Sequence, residues 1–335
     1  MDRDCKRIKK GDGPRRASCP EDISEIAELL DISFSASLDL AARQMLRQVS
    51  WLASLGKRAW DLCCLLGAVN PEEWNHSVVW QENGRIVGNV TLTHRRPQKG
   101  AWLVSNVAVT PDYRRRGIAR QLTRFAIAQI RSWGGRELYL QVDADNLSAA
   151  NIYKEFGFRE IDCRVTWIHP GGISAANPSA IENVDGCRTV RRQPEDWPEE
   201  YRFLAETAPG GLGWNDPLDI DRIRPSIWRT LDRSLAGESE SHFLAWCPDG
   251  LAGVLLYTER FHNWEGLLIQ RPGTAGRVET QLLRLLVRDG SSVKQGVVET
   301  TLEADPDCMT GLGFRKRRIL VWMHCDLDGE PAPPG

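Results

Sequence analysis

The sequence predicts an α/β (α+β) protein built from two tandem domains, each a mixed, mostly antiparallel central sheet flanked by helices. Three observations carry that reading. Short apolar strand-like runs alternate with amphipathic helical stretches. The second half of the chain repeats the first in outline. A small, polar, Pro/Gly-rich stretch divides them at Pro170-Gly171-Gly172-Ile173-Ser174-Ala175-Ala176-Asn177-Pro178-Ser179. The 335 residues suit two domains of about 100–200 residues each. Their boundaries are expected at 1–14 for a disordered basic leader, 15–169, 170–187 for a linker, 188–327, and 328–335 for a disordered tail.

The elements follow in order. Pro20-Glu21-Asp22 opens a helix with acids in its first turn. Ile23, Ile26, Ala27 and Leu30 then recur at helical spacing. Residues 38–67 continue a helical apolar pattern whose expected role is packing. Asn83-Gly84 makes a hairpin between Val78-Val79-Trp80 and the run from Ile86 to Leu92. Trp102 to Val109 is a third strand, stopped by Pro111. Residues 117–133 form an amphipathic helix, with Ile118, Leu122, Phe125, Ala126, Ile130 and Trp133 on one side and Gly134-Gly135 at its end. A strand from Leu138 to Val142, a helix over 147–156 and a strand from Phe158 to Ile168 complete the first copy.

In the second copy, Arg191-Arg192-Gln193-Pro194-Glu195-Asp196 echoes Arg15-Arg16-Ala17-Ser18-Cys19-Pro20-Glu21-Asp22. Pro248-Asp249-Gly250 joins strands at His242–Cys247 and Leu251–Tyr257. A helix over 276–288 and a strand over 296–302 follow. Leu312-Gly313-Phe314 before Ile319–Met323 echoes Phe156-Gly157-Phe158 before Val165–Ile168.

Composition excludes several partners. With 43 Lys+Arg against 45 Asp+Glu the formal charge is −2, so there is no broad electrostatic footprint for nucleic acid. The basic cluster Arg3, Lys6, Arg7, Lys9, Lys10, Arg15 and Arg16 reads as a solvated leader. Leu62 to Val69, the most apolar stretch, is far short of the ~20 residues needed to span a bilayer, so no membrane partner is expected. Nine scattered cysteines without CxxC or Cys/His spacing read as reduced thiols in a cytoplasmic protein, with no metal.

The informative segment is Val107-Ala108-Val109-Thr110-Pro111-Asp112-Tyr113-Arg114-Arg115-Arg116-Gly117-Ile118-Ala119. A strand ends, a turn of successive amides follows, and a helix begins. Unpaired N–H groups and the positive helix end converge there, which suits a phosphate. Gly117 and Ala119 allow close backbone approach, and Arg114, Arg115 and Arg116 add cationic charge. The alternative is a surface helix start with solvated arginines.

Arg114-x-x-Gly117-x-Ala119 resembles the Gln/Arg-x-x-Gly-x-Gly/Ala loop of the GCN5-related N-acetyltransferases. Val107-Ala108-Val109-x-Pro111 is similar to that family's fourth strand. The stretch Asn146-Leu147-Ser148-Ala149-Ala150-Asn151-Ile152-Tyr153-Lys154-Glu155-Phe156-Gly157-Phe158 resembles its Asn-x-x-Ala-x-x-x-Tyr-x-x-x-Gly-Phe segment. The match covers residues 15–169 well and 188–326 weakly.

The resemblance implies acetyl-CoA as co-substrate. Amides of Arg115, Arg116, Gly117, Ile118 and Ala119 would hold its pyrophosphate, with Arg114 and Arg120 beside them. Val107, Ala108 and Val109 would run along the pantetheine like an added strand, in a gap where the fourth and fifth strands splay. An amide near Val109 would stabilise the oxyanion. Asn146 would contact the pantetheine arm, and Tyr153 would protonate the departing thiolate; a packing role for Tyr153 beside Ile152 and Phe156 is the alternative. The general base stays open among Ser105 or Asn106 through a water, Asp143, and no dedicated base.

The second copy has lost the loop. Arg271-Pro272-Gly273-Thr274-Ala275-Gly276-Arg277-Val278-Glu279 keeps the pattern in no register, and a Glu at a helix start would compete with an anion. Residues 188–327 therefore read as a degenerate copy that supports the fold and helps shape the acceptor pocket. The expected function is transfer of an acetyl group to a primary amine of a small molecule by direct attack in a ternary complex. Acetylation of a protein amine and non-catalytic acyl-CoA binding are the other readings. Homodimer formation is open.

Overall fold

The computed structural model describes residues 12–35, 40–66, 74, 76–95, 100–171, 186–207, 223–226, 239–259, 263–288 and 295–328. Most of the expected leader, linker and tail lies outside the described residues. The chain divides into two compact units: Met1–Val142, Asn146–Ile161 and Met323–Gly335 in one, Asp143–Asp145 and Asp162–Trp322 in the other. Each unit joins strands to helices as the pattern predicts.

The first unit holds β1 (Gly13–Arg16), β2 (Val78–Glu82), β3 (Arg85–His94), β4 (Ala101–Val109) and β5 (Glu137–Asp143), in that spatial order. Pairing is antiparallel up to β4, and β4 runs parallel to β5. The chain's last strand, β12 (Arg315–Asp326), ends in this unit. There the Leu327 N–H donates to the Arg136 carbonyl at 2.6 Å, and the His324 ring stands 4.7 Å from that of Tyr139.

Helices α1 (Ile23–Ser33), α2 (Leu40–Ser54) and α3 (Lys57–Leu65) cover one face of this sheet. Their Ile23, Ile26, Leu30, Leu46 and Trp60 share a core with Val79, Ile86 and Ala108. Asp22 leads into α1, and its side chain accepts from Arg15 (2.5 and 2.9 Å) and from the Ser18 N–H (2.7 Å), fastening the helix start to β1. On the other face lies α4 (Ile118–Ser132), seated against Gly88, where a Cβ would fall 2.8 Å from Leu122 Cδ1. A side chain at residue 88 would push the Leu122 methyl aside, so the glycine lets the helix sit close. α5 (Leu147–Glu155) follows.

The second unit orders its strands β6 (Arg159–His169), β11 (Gln295–Thr301), β10 (Asn263–Gln270), β9 (Gly250–Glu259), β8 (Ser239–Cys247) and β7 (Arg188–Arg191). β10 and β11 are parallel and the other pairs antiparallel. β6 begins in the first unit and runs on in the second from Asp162. One face packs on α6 (Trp197–Thr207) through Phe203, Leu204, Val254 and Leu267. The other packs on α7 (Val278–Arg288) and α8 (Pro306–Gly311) through Leu282, Met309, Phe314, Trp167 and Val298. β10 and α6 are additional to the elements the pattern assigns. β10 carries Leu267, Leu268 and Ile269 all buried, so it shows no two-residue alternation to read.

The expectation that all cysteines are free thiols is corrected. Cys187 and Cys247 form a disulfide across a sequence separation of 60 residues. The register Arg188↔Trp246 brings the start of β7 beside the end of β8, which spacing along the chain does not disclose. Among the described residues no helix is long and apolar enough to cross a membrane, and no cluster of His, Cys, Asp or Glu is arranged to hold a metal.

One buried carboxyl is expected to make the stability of the second unit depend on pH. Glu299 on β11 is 1% exposed, opposite Thr166 on β6. Burial pushes its carboxyl up to about 7, against the pull of Arg164 and Arg318. An acid whose folded value is raised stabilises the fold below its unfolded value and loses that contribution as pH rises through the folded one. Glu299→Gln is therefore expected to raise the melting temperature relative to wild type at about pH 8 and to flatten its fall between about pH 5 and 8. Melting both proteins across that range checks it; parallel curves would refute it.

Candidate functional site

The site of the first unit begins where two parallel strands part. The β4–β5 ladder runs from Ala101↔Glu137 to Val104↔Leu140 and stops there. Both strands continue, β4 to Val109 and β5 to Asp143. The Thr110 N–H donates to the Val87 carbonyl on the β3 side. Backbone groups alternate along a strand, so the amide of Val109 projects from the opposite, unpaired edge. Arg114 Nε donates to the Val109 carbonyl at 3.0 Å.

A bulge marks the parting. Register slips between Asn89↔Ala108 and Thr91↔Ser105, and Asn106 takes the left-handed conformation with φ 50°. Side chains pin it. Asn89 Nδ2 donates to Thr91 Oγ1 (3.2 Å) and to the Asn106 carbonyl (3.2 Å), and Asn106 Nδ2 donates to Thr91 Oγ1 (3.3 Å). Asn89 is fully buried, and its Oδ1 has no partner among the described residues.

Beyond β4, a short 3₁₀ turn at Pro111–Tyr113 leads into the loop before α4. Arg115 (φ 60°) and Gly117 (φ 77°) are both left-handed, and Gly117 has open space where a Cβ would point. This path turns six successive amides, Arg115 to Arg120, away from every acceptor among the described residues. They meet the positive end of a 15-residue helix. The segment is exposed except for Ile118 and Ala119.

The arginine side chains are engaged locally. Arg116 makes a double contact with Glu82 (2.8 and 2.9 Å) and lies 5.1 Å from the Tyr113 ring. Arg120 does the same with Glu155 (2.8 and 2.8 Å). Exposed pairs of this kind are worth at most about 1 kcal/mol, so an incoming anion can exchange with them. Both carboxylates, Glu82 and Glu155, are neighbours of the loop that motif reading passes over, since they stand 34 and 35 residues from their arginines.

Asn146 caps α5, its Oδ1 accepting from the Ala149 N–H at 3.1 Å. Tyr153, on α5, is 6% exposed, with its ring 5.8 Å from Phe158. Burial pushes its hydroxyl up, so it stays protonated throughout the neutral range. Of the candidate bases, Asn106 is committed to the bulge, Ser105 is half-buried on β4, and Asp143 ends β5.

The second unit repeats the parting of parallel strands but fills the loop from within. The β10–β11 ladder stops at Leu267↔Glu299. Three amides there turn inward: Thr274 donates to the Arg271 carbonyl, and Arg277 and Val278 to that of Thr274. Glu279, second residue of α7 as Ala119 is of α4, is fully buried. Its Oε1 accepts from Gln270 Nε2 (2.8 Å) and the Asp305 N–H (3.2 Å). A Cβ on Gly276 would meet Asp305 Oδ2 at 3.2 Å. Two carboxylates thus occupy the ground that the first unit leaves open.

The acetyltransferase (GNAT) family profile matches residues 42–158. GCN5-related N-acetyltransferase 4, chloroplastic, of Arabidopsis thaliana is 42% identical over 78 residues, 23% of this chain and 27% of that protein. The [ribosomal protein bS18]-alanine N-acetyltransferase of Escherichia coli K12 is 39% identical over 59 residues, 18% of this chain and 40% of that protein. The chain therefore spans less than half of either relative. Among solved structures, a tandem GNAT protein from the clavulanic acid biosynthesis pathway shares the fold over 96% of this chain and 99% of its own, at TM-score 0.50 and 16% identity.

Proposed function

We propose that the chain is a member of the GNAT superfamily, whose profile matches residues 42–158, and that its first unit is an acetyl-CoA-dependent N-acetyltransferase acting on a primary amine of a small molecule. One observation carries the reading: six amides without acceptors among the described residues, Arg115 to Arg120, stand at a helix start directly beyond the open edge of β4. A pyrophosphate satisfies those amides, and an extended amide-bearing arm satisfies the strand edge. These residues fit acetyl-CoA, which supplies an activated thioester.

The chain's own groups have distinct tasks. The loop amides bind and orient, with Arg114, Arg116 and Arg120 supplying positive charge. Val107, Ala108 and Val109 align the arm, and the Val109 N–H polarises the acyl carbonyl from the free edge. Tyr153 holds the proton that the departing sulfur needs. The amine attacks directly, and no cysteine among the described residues of the first unit is set up as a nucleophile. Burial pushes the Cys19 thiol up to about 12, away from thiolate chemistry.

The second unit, with Glu279 and Asp305 in its loop, is proposed to bind no acetyl-CoA. Calorimetric titration of the full chain is expected to give one site; two would mean that Glu279 yields to the ligand. The function is tested by thiol release from acetyl-CoA with a panel of small primary amines and with alanine-starting peptides. Turnover with a small amine supports the proposal. Turnover with peptides alone replaces it with a second reading, acetylation of a protein N-terminus, favoured by the name of the Escherichia coli relative. Binding without turnover leaves an acyl-CoA-binding module.

A further inference from the structure

Among the described residues, seven exposed large apolar side chains fall between residues 32 and 66 of the first unit. Six belong to α2, α3 and their immediate ends: Met45 (49% exposed), Trp51 (60%), Leu55 (51%), Leu62 (54%), Leu65 (82%) and Leu66 (74%). Helical geometry makes them a surface rather than a scatter. Arg47, Trp51 and Leu55 follow one another at i, i+4, i+8, and so do Arg58, Leu62 and Leu66. Arg47 and Trp51 share one face of α2, with Leu55 in the turn just past its end, and Arg58 and Leu62 share one face of α3, with Leu66 at its C-cap. The opposite faces, with Leu46, Val49, Ala53 and Trp60, are already spent on the core. Core packing therefore explains one side of the pair, and the other stays without a partner among the described residues.

We propose that this face is an isologous interface between two copies of the chain, α2 and α3 of one protomer packing on α2 and α3 of its partner. Two arguments select a second copy. The first is area. Six large apolar side chains, half or more exposed at on the order of 100 Å² each, approach 600 Å², the upper limit of what monomers leave open. A standard interface takes about 800 Å² per partner, so the patch and its rim suffice for one. The second is self-complementarity. Both helices present the same four-residue rows, which interdigitate when a two-fold axis brings the pair onto itself. The rim carries both signs of charge. Arg58 and Asp61 lie on the outward side of α3, Asp61 with Lys57 at 3.5 Å, so a two-fold copy meets no uniform like charge.

Sedimentation velocity on the full chain, from low to about 100 μM protomer, tests this. The expected result is a concentration-dependent species of twice the chain mass. Trp51→Glu and Leu62→Glu should each return it to monomer, while Trp51→Phe keeps the dimer. Helical circular dichroism and acetyl-CoA affinity should stay unchanged in both charged variants, since neither residue touches the loop before α4. If one variant misfolds, the other decides. A wild type that stays monomeric at the highest concentration overturns the proposal, and so does a dimer indifferent to both charged substitutions. Membrane or foreign-protein binding by a monomeric wild type would assign the face to another occupant and count against it.

Discussion

Gly117→Glu is expected to abolish acetyl-CoA binding while leaving the fold intact. Nothing lies within 4 Å of where its Cβ would stand, so the side chain meets no clash. The left-handed φ of 77° costs a non-glycine residue about 1–2 kcal/mol, which falls on the loop and not on the core. The carboxylate then projects at the N-terminus of α4, beside the six free amides. Two unit charges about 4 Å apart near a protein surface interact by about 4 kcal/mol. Set against a pyrophosphate, that repulsion and the strain weaken binding by 10²-fold or more, on the scale of about 1.4 kcal/mol per tenfold. Gly117→Ala separates the two effects, because it keeps the strain and omits the charge; its loss should be about tenfold. Calorimetry on the three proteins checks this. An unchanged affinity in Gly117→Glu would remove the loop from cofactor binding.

The second unit shows why that outcome is foreseeable. It already carries a glutamate at its helix start, and there Gln270 and the Asp305 amide hold the carboxylate in place. An internal acid closes the ground without any ligand.

What the sequence exposed and what it concealed divide along a physical line. Helices and hairpins rest on contacts a few residues apart, so α4, α5 and the Asn83-Gly84 turn were legible from spacing alone. The loop from Arg114 to Ala119 was legible for the same reason: its glycine, its arginines and the strand before it are contiguous. Long-range pairings were not. The bulge at Asn106 is held by Asn89 and Thr91, from the neighbouring strand, and nothing in either segment's pattern names the other. The Cys187–Cys247 disulfide depends on strand register. The ending of β12 in the first unit, with His324 against Tyr139, depends on topology over nearly the whole chain. The arginines were legible as charge, but not their present engagement with Glu82 and Glu155.

Tyr153→Phe separates chemistry from packing. The ring is buried against Phe158, and a phenylalanine fills the same space. The hydroxyl makes no hydrogen bond with any described residue, so its removal leaves no broken partner and should cost little stability. A packing residue would thus tolerate the change silently. A proton donor would not: loss of a positioned general acid lowers turnover by about 10²–10⁴-fold. The expected result is a fall of at least about 10²-fold in kcat, with acetyl-CoA affinity and melting temperature unchanged. The pH profile adds a second readout. Burial raises the Tyr153 hydroxyl, and the protonated form is the active one, so wild-type turnover should not decline through this group as pH rises across the neutral and mildly alkaline range. In Tyr153→Phe the residual rate should depend on the leaving sulfur and solvent alone. Full activity in the variant would mean that the departing CoA thiolate needs no protein donor, and Tyr153 would then be a core aromatic of α5.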